Sequence, residues 1–347
     1  MNKWYENKPE EPIVIASRVQ LRRNVENYHF VGKMGEGEYE ALALRARALS
    51  AGLEEKEQMK YYSCSTGKLS PLERQALEEA GIISNLLTKR RHETALILSE
   101  DEGVSIMVNE EDHICIQTSA RGADLNSAYY RAAGIDNCFE ELGYAYDERY
   151  GYLTASPQNA GTGLHTEYLV FLPAITMVGK LAKLSEEIGK YNIIIRGVLG
   201  EGTKSEAFLY RIINQKTLGS TEEEIIGNTE QVLKKIVEQE LRYRKLLCEG
   251  EGGEEEVADK VYRSYGILRY AKKLASSDAL MLFSQLKFGC DLGMILFGQE
   301  LSLYEQFIRI RPANLQKLCG KNMNEAQQER YRAEYFNRLM NVVGLKD

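Results

Sequence analysis

A chain of 347 residues is longer than one typical domain and predicts two units or one large one. Hydrophobic residues make up 44% and charged residues 27%, which excludes a disordered tail, a collagen-like chain and a disulfide mini-scaffold. With 44 basic against 51 acidic residues the net charge is −7, so no broad basic surface for nucleic acid is expected, and no apolar run is long enough to span a membrane.

The first residues carry charge but no apolar stretch of a signal peptide, so the expected compartment is the cytoplasm. Cys64, Cys115, Cys138, Cys248, Cys290 and Cys319 are scattered, without a C-x-x-C pair or a histidine at zinc-ligand spacing, and read as reduced thiols. In chain order, the β-branched run Ile13-Val14-Ile15 predicts a strand that empties into a basic loop over Ser17–Asn24. Residues 37–60 read as helix, as do Pro71–Ala80 with Ser70 as N-cap and Pro71 in the first turn. Strands are expected at Leu96–Leu98, Val104–Val108 and His113–Thr118, separated by Ser-Glu-Asp-Glu-Gly and Asn-Glu-Glu-Asp turns. A helix over 125–142, strands at Tyr152–Thr154 and Tyr168–Leu172, and a helix over 174–189 follow. Asn192–Ile195 reads as a buried strand that delivers Arg196 and Gly197.

Strands interleaved with helices, without regular βαβ spacing, predict an α+β fold over 1–248. Ile225, Val232, Ile236, Leu241 and Leu246 give helical spacing over 221–247. Glycine and like charge then predict a flexible acidic loop at 249–256, followed by a helical unit over 257–347 with helices at 256–275, 277–287 and 324–341.

Four stretches carry candidate chemistry. Arginines in Ser17–Asn24 suit either an anion site or a solvated loop. Asn109-Glu110-Glu111-Asp112-His113 places three carboxylates in a row, which suits a general base, a guanidinium clamp or a polar hairpin turn. Arg196-Gly197-Val198-Leu199-Gly200-Glu201-Gly202-Thr203 offers glycine backbone to a phosphate but is not a Walker A motif, since Lys204 follows Thr203. Gly151–His165, with Ser156 before Pro157 and a Gly-Thr-Gly turn, has the composition of a site loop.

Taken in this order, the stretches resemble the ATP:guanido phosphotransferases, the phosphagen kinases, and within them the bacterial protein arginine kinases. The likeness includes Gly151-Tyr152-Leu153-Thr154, Asn159 with Gly161-Thr162-Gly163-Leu164, Val261–Leu268 and Pro312–Leu318. It implies an antiparallel sheet flanked by helices plus a C-terminal all-α domain. It also implies transfer of the γ-phosphoryl group of ATP, with Mg²⁺, to an arginine guanidinium of a protein. The resemblance places the orienting carboxylates at Glu111 and Glu201 and phosphate-side groups at Ser17, Arg18, Arg196, Gly197 and Gly200. Three family arginines are replaced here by Gln20, Cys115 and His165, the family cysteine of the site loop by Ser156, and a family histidine aligns with Gly81.

In the tail, a phosphoarginine-binding motif Arg-Asp-x-x-Arg-Ala corresponds to Gln328-Glu329-Arg330-Tyr331-Arg332-Ala333. Glu329 and Arg332 remain there, and Gln328 stands for the leading arginine. Arg330 can take its place, or the stretch is simply a solvated helix. The resemblance further implies a homodimer, protein substrates, and as partners a zinc-containing activator, a heat-shock repressor and a Clp unfoldase. Loss of one preorganised cationic donor costs about 3–4 kcal/mol of transition-state stabilisation. Three losses therefore lead us to expect a regulatory or scaffolding pseudokinase in protein quality control. The alternative is an active kinase in which Arg22, Arg23 or Lys204 compensates, and a kinase of free small guanidines is third.

Overall fold

A computed structural model describes residues 3–6, 10–198, 205, 207–250, 252–298 and 302–345. The main sheet begins with β1 (Val14–Arg23), β2 (Tyr61–Ser65), β3 (Ala95–Ser99), β4 (Val104–Val108) and β5 (Ile114–Arg121). A small hairpin of β6 (Tyr146–Asp147) and β7 (Gly151–Tyr152) intervenes before β8 (Leu164–Phe171), β9 (Ile193–Gly197) and β10 (Leu209–Asn214). The order across the main sheet is β2-β3-β4-β5-β1-β8-β10-β9, with β2 to β5 a meander and β1 antiparallel to β5.

The chain forms two compact units. One is Met1–Trp4 with Ala16–Tyr168 and Ile213–Gln231; the other is Tyr5–Ile15 with Leu169–Ile212 and Val232–Asp347. They interleave along the chain, whereas the sequence reading is of consecutive stretches, 1–248 and 257–347.

In the first unit, α1 (Glu36–Leu49), α2 (Ala51–Glu57), α3 (Pro71–Glu79), α4 (Asn85–Lys89) and α5 (Leu125–Phe139) accompany the strands. Local chemistry sets their ends. The Ser70 hydroxyl accepts from Glu73 N while the Glu73 carboxylate takes Ser70 N, and Asp124 caps α5 through Ser127 N. Such a cap contributes about 1 kcal/mol. Val19, Leu21, Ile106, Ile116, Ala132, Ile135 and Phe139 form the core against the sheet and are shut off from solvent.

Two expectations change here. Ser17–Arg23 is not a loop but continues β1, because Val19 and Leu21 alternate with Arg18, Gln20 and Arg22 and bury every second side chain. The helix expected over 37–60 breaks at Ser50, whose hydroxyl turns back to the Arg47 carbonyl at 2.7 Å.

The second unit contains α6 (Pro173–Met177), α7 (Leu181–Gly189), most of α8 (Glu222–Glu249), α9 (Gly253–Tyr270), α10 (Ser276–Asp291), α11 (Leu303–Arg309), α12 (Pro312–Cys319) and α13 (Glu325–Leu339). The acidic stretch 249–256 is not one continuous loop, because Gly253–Glu256 already form the first turn of α9. The connection is tight. Gly253 N donates to Gly250 O at 2.9 Å, and a Cβ on Gly253 would strike the Leu247 carbonyl oxygen. The tail also carries a short ladder of β11 (Ile295–Phe297) with β12 (Val343–Leu345).

Buried charge in this unit is closely partnered. Glu240 accepts from Ala174 N, Ile175 N and Arg244, and Arg244 reaches Asp291 and the Pro12 carbonyl. Glu10 takes the Ser302 hydroxyl at 2.7 Å and the backbone N–H groups of Leu303 and Tyr304, capping α11 from the far end of the sequence.

Candidate active site

The turn joining β4 to β5 is the Asn109–His113 stretch, closed by Asn109 N to His113 O and Glu110 N to Asp112 O. Asn109 holds a left-handed backbone (φ 61°), and its amide donates to the Tyr39 and Glu93 carbonyls. Its three consecutive carboxylates are not equivalent. Asp112 is fully buried and accepts from Asn24 Nδ2 and Ala155 N, both at 2.7 Å. Glu110 is buried and accepts from the Ser84 hydroxyl and from Glu111 N. Glu111 has a side chain 37% exposed and is the one that faces outward.

Repulsion among the three is relieved by Arg22. Its Nη1 lies 3.2 Å from Glu110, 3.1 Å from Glu111 and 3.6 Å from Asp112. Burial, with Asp112 and Glu110 close by, raises the pKa of Glu111, while Arg22 and Asn159 work against that rise. A partly exposed carboxylate with raised proton affinity suits orienting a guanidinium and taking its proton.

His113 is fixed as a neutral ring. Its Nδ1 must accept from Val25 N (2.9 Å), so Nε2 carries the hydrogen and donates to the His29 carbonyl; burial lowers its pKa.

On the neighbouring strands, Ser17 spends its hydroxyl on the Gly122 carbonyl and on Asp124 N. Arg18 lies 3.6 Å from Glu167 and covers Gly81. Gly81 has φ +68°, and a Cβ there would sit 3.1 Å from Arg18 Nη2, so a histidine at this position would displace Arg18. The three positions where the resemblance puts arginines carry no charge. Gln20 Nε2 donates to Gln117 Oε1 at 2.8 Å. Cys115 is fully buried, which pushes its thiol up to about 12. Burial, with Arg22 adding to it, brings His165 down to about 4. A neutral His165 donates from Nε2 to Asn159 Oδ1 at 2.9 Å, and Asn159 Nδ2 points to Glu111 at 3.4 Å.

Glu111, Arg18, Gln20, Cys115, Ser156 and His165 thus all belong to the first unit, with Ser156 in a turn closed by Asn159 N to its carbonyl. Arg196, exposed, and Gly197, buried, lie on β9 in the second unit. Gly200, Glu201 and Lys204 lie outside the described residues. In the tail, Arg332 is 2% exposed and gives its guanidinium hydrogens to the Ile310 and Leu274 carbonyls. Gln328 donates to Met323 O, Glu329 offers its backbone carbonyl to Leu274 N, and Arg330 is exposed.

The sequence reading gave no role to Asn159, which links Glu111 to His165. Nor did it separate Arg22 from Arg23, although alternation along the strand already sends them to opposite faces.

Residues 42–243 match the family model for the ATP:guanido phosphotransferase C-terminal catalytic domain. Among solved structures, a lombricine kinase superposes with a TM-score of 0.57 at 19% identity, covering 67% of this chain and 68% of that one. The duplicated taurocyamine kinase from Schistosoma mansoni with bound transition state analog components gives 0.61 at 19% identity, over 81% of this chain and 46% of that one. The fold is that of the phosphagen kinases, an antiparallel sheet flanked by helices with a helical C-terminal region.

Residues 254–345 match the protein-arginine kinase McsB C-terminal domain. The protein-arginine kinases of Halothermothrix orenii and Caldanaerobacter subterraneus are each 36% identical, over 335 and 333 residues; both alignments span 96% of this chain and respectively 95% and 98% of theirs. The chain belongs to the protein-arginine kinase family. Membership supports phosphoryl transfer to arginine and implies ATP as the donor. Among the described residues, no helix is long and apolar enough to cross a membrane.

Proposed function

We propose that this chain is a protein-arginine kinase homologue whose phosphoryl transfer is impaired, acting chiefly by binding as a cytoplasmic regulatory or scaffolding dimer in protein quality control. The observation that carries this reading is the neutrality of Gln20, Cys115 and His165 at neutral pH. Phosphoryl transfer is driven by positive groups spread around an anionic, loose transition state. Each missing donor costs about 3–4 kcal/mol there, so neutral substitutes slow the step steeply even when the losses do not add.

In this reading Glu111 and Glu201 orient the acceptor guanidinium, and Ser156 stands where the family has its cysteine. The family resemblance assigns Arg18, Arg196, Gly197 and Gly200 to Mg·ATP, whereas the Ser17 hydroxyl is already spent on the Gly122 carbonyl and Asp124 N. Mg²⁺ would ride on the phosphates, supplying charge neutralisation. The phosphoarginine motif of the tail is weakened twice over, by Gln328 in place of the leading arginine beside Glu329 and by the burial of Arg332, whose hydrogens go to backbone carbonyls. Partners are protein substrates, a zinc-containing activator, a heat-shock repressor and a Clp unfoldase, as family resemblance implies.

A second reading, retained kinase activity, is favoured by Arg22, which brings a guanidinium to the Glu111 carboxylate. Arg23 offers no such help, since its hydrogens are spent on Asp136 and the Thr162 carbonyl.

Incubation with γ-labelled ATP, Mg²⁺ and an arginine-rich acceptor protein tests the proposal. We expect acid-labile label to form at least roughly a hundredfold more slowly than with an active family member, and Gln20→Arg with His165→Arg to raise the rate. Rapid labelling by the unaltered chain that disappears in Glu111→Ala would establish the second reading instead.

A further inference from the structure

We infer that Arg22 supplies, from the opposite strand, the phosphate-binding guanidinium that the family resemblance places at Cys115. The inference rests on the reading of this cleft as a nucleoside triphosphate site. Four observations converge on it.

Arg22 and Cys115 are direct Cα partners in the antiparallel pairing of β1 with β5. Side chains of such partners stand on the same face, roughly 5 Å apart at Cβ, so a long side chain on either strand serves the same patch of space. Second, alternation puts Arg22 on the same face as Arg18 and Gln20, two of the three β1 positions that the resemblance assigns to phosphate; the third, Ser17, turns its hydroxyl the other way, to the Gly122 carbonyl and Asp124 N.

Third, the side chain at the vacated position is small, fully buried and uncharged, whereas the Arg22 side chain is 14% exposed and reaches the outward carboxylate Glu111. Its charge also helps to depress the pKa of His165, another replaced position, so it acts at both sites. Fourth, the buried Arg22 Nε–H makes no hydrogen bond, although Nη1 is taken up by Glu110 and Glu111. Buried donors are rarely left unpaired, so the carboxylates that hold Nη1 do not saturate this guanidinium.

The charge has therefore crossed from one strand to its partner. One of the three vacancies is refilled, while Gln20 and His165 still leave the transferring phosphoryl group short of positive neighbours. Nucleotide binding is retained more fully than turnover.

The experiment is calorimetric titration of the full chain with Mg·ATP and, separately, with adenosine. Wild type is compared with Arg22→Ala, Arg22→Lys, and the exchange variant Arg22→Ala/Cys115→Arg, each checked for its thermal unfolding midpoint. Arg22→Ala is expected to weaken Mg·ATP by roughly tenfold or more and to leave adenosine binding unchanged. Arg22→Lys, which keeps the charge near the carboxylates and so the hairpin's fold, should weaken Mg·ATP by several-fold. The exchange variant should recover most of the lost affinity.

Wild-type affinity in both single variants, or an exchange variant no better than Arg22→Ala, overturns the inference. So does an Arg22→Ala chain that phosphorylates an arginine acceptor faster than wild type, since Arg22 would then be blocking Glu111 rather than serving ATP. Failure of the wild-type chain to bind Mg·ATP at millimolar concentration overturns the nucleotide reading itself, and the inference with it.

Discussion

Arg22 and Arg23 are adjacent on β1, and the pleat sends them to opposite faces, where the same side chain meets two different environments. Arg23 is 3% exposed. Its guanidinium makes two bonds to Asp136 Oδ2, at 2.7 and 3.0 Å, donates to the Thr162 carbonyl and lies 3.6 Å over the Tyr152 ring. Arg22 instead bridges a row of carboxylates, one of them open to solvent, and keeps an unused donor. A charge enclosed by fixed partners holds the structure together; one shared among several carboxylates, one of them open to solvent, is available for chemistry. Arg332 in the tail falls on the Arg23 side of this division, since backbone carbonyls take its hydrogens.

The contrast is sharpest in stability. Arg23→Ala strands the buried Asp136 with Tyr144 as its remaining side-chain donor and should cost about 3–5 kcal/mol, read from denaturant unfolding. Arg22→Lys should cost far less in the same measurement, and an equal loss would erase the distinction.

Acid should act next most strongly, through His165. Its folded pKa of about 4 lies below the ordinary 6.5, so the neutral ring contributes fully above pH 6.5. As pH falls from 6.5 toward 4 the unfolded chain takes up a proton that the folded chain refuses, and about 3 kcal/mol of stability is lost over that window. His165→Gln should lack that component when unfolding is followed against pH; an unchanged profile would mean that the ring is not held neutral. The smallest effect is on the Arg23 face. Tyr152→Leu removes the ring beneath the guanidinium and should destabilise by roughly 0.5–2 kcal/mol, with Mg·ATP affinity unaltered.

Much of this architecture was legible because local chemistry and burial agree. Apolar or alternating runs at Val104–Val108 and His113–Thr118, with a polar turn between them, read as strands and are paired as β4 and β5, and Ser70-Pro71 marks its helix start. The carboxylate row and the Gly-Thr-Gly loop stood out for the same reason: neither is needed to fold a surface turn.

The errors have physical causes as well. Arg18, Gln20 and Arg22 resemble a loop in sequence because polar residues usually face solvent, but here they lie half-buried on one face of β1 with Val19 and Leu21 buried between them. β10 is not evident in the sequence, because its short run Leu209–Asn214 is interrupted by the charged Arg211 and carries no flanking turn of its own on the N-terminal side. The ladder of β11 with β12 joins three-residue strands nearly fifty positions apart, and no local turn announces it. The roles of Arg23 and Arg332 depend on partners distant in sequence, which a one-dimensional pattern does not carry.

The carboxylate of Glu10 has a consequence for the order in which this chain comes into being. Its partner Ser302 lies 292 positions downstream, so a ribosome adding about 5–20 residues per second delivers it roughly 15–60 s after Glu10 has been made. Throughout that interval Glu10 lacks its mate, although Phe171 N and Arg244 can already hold the Ile13 and Pro12 carbonyls once they emerge. The Glu10 carboxylate is among the last groups of the nascent polypeptide to find its partners, and an elongating chain that stalls short of residue 302 would leave it open to chaperones and proteases.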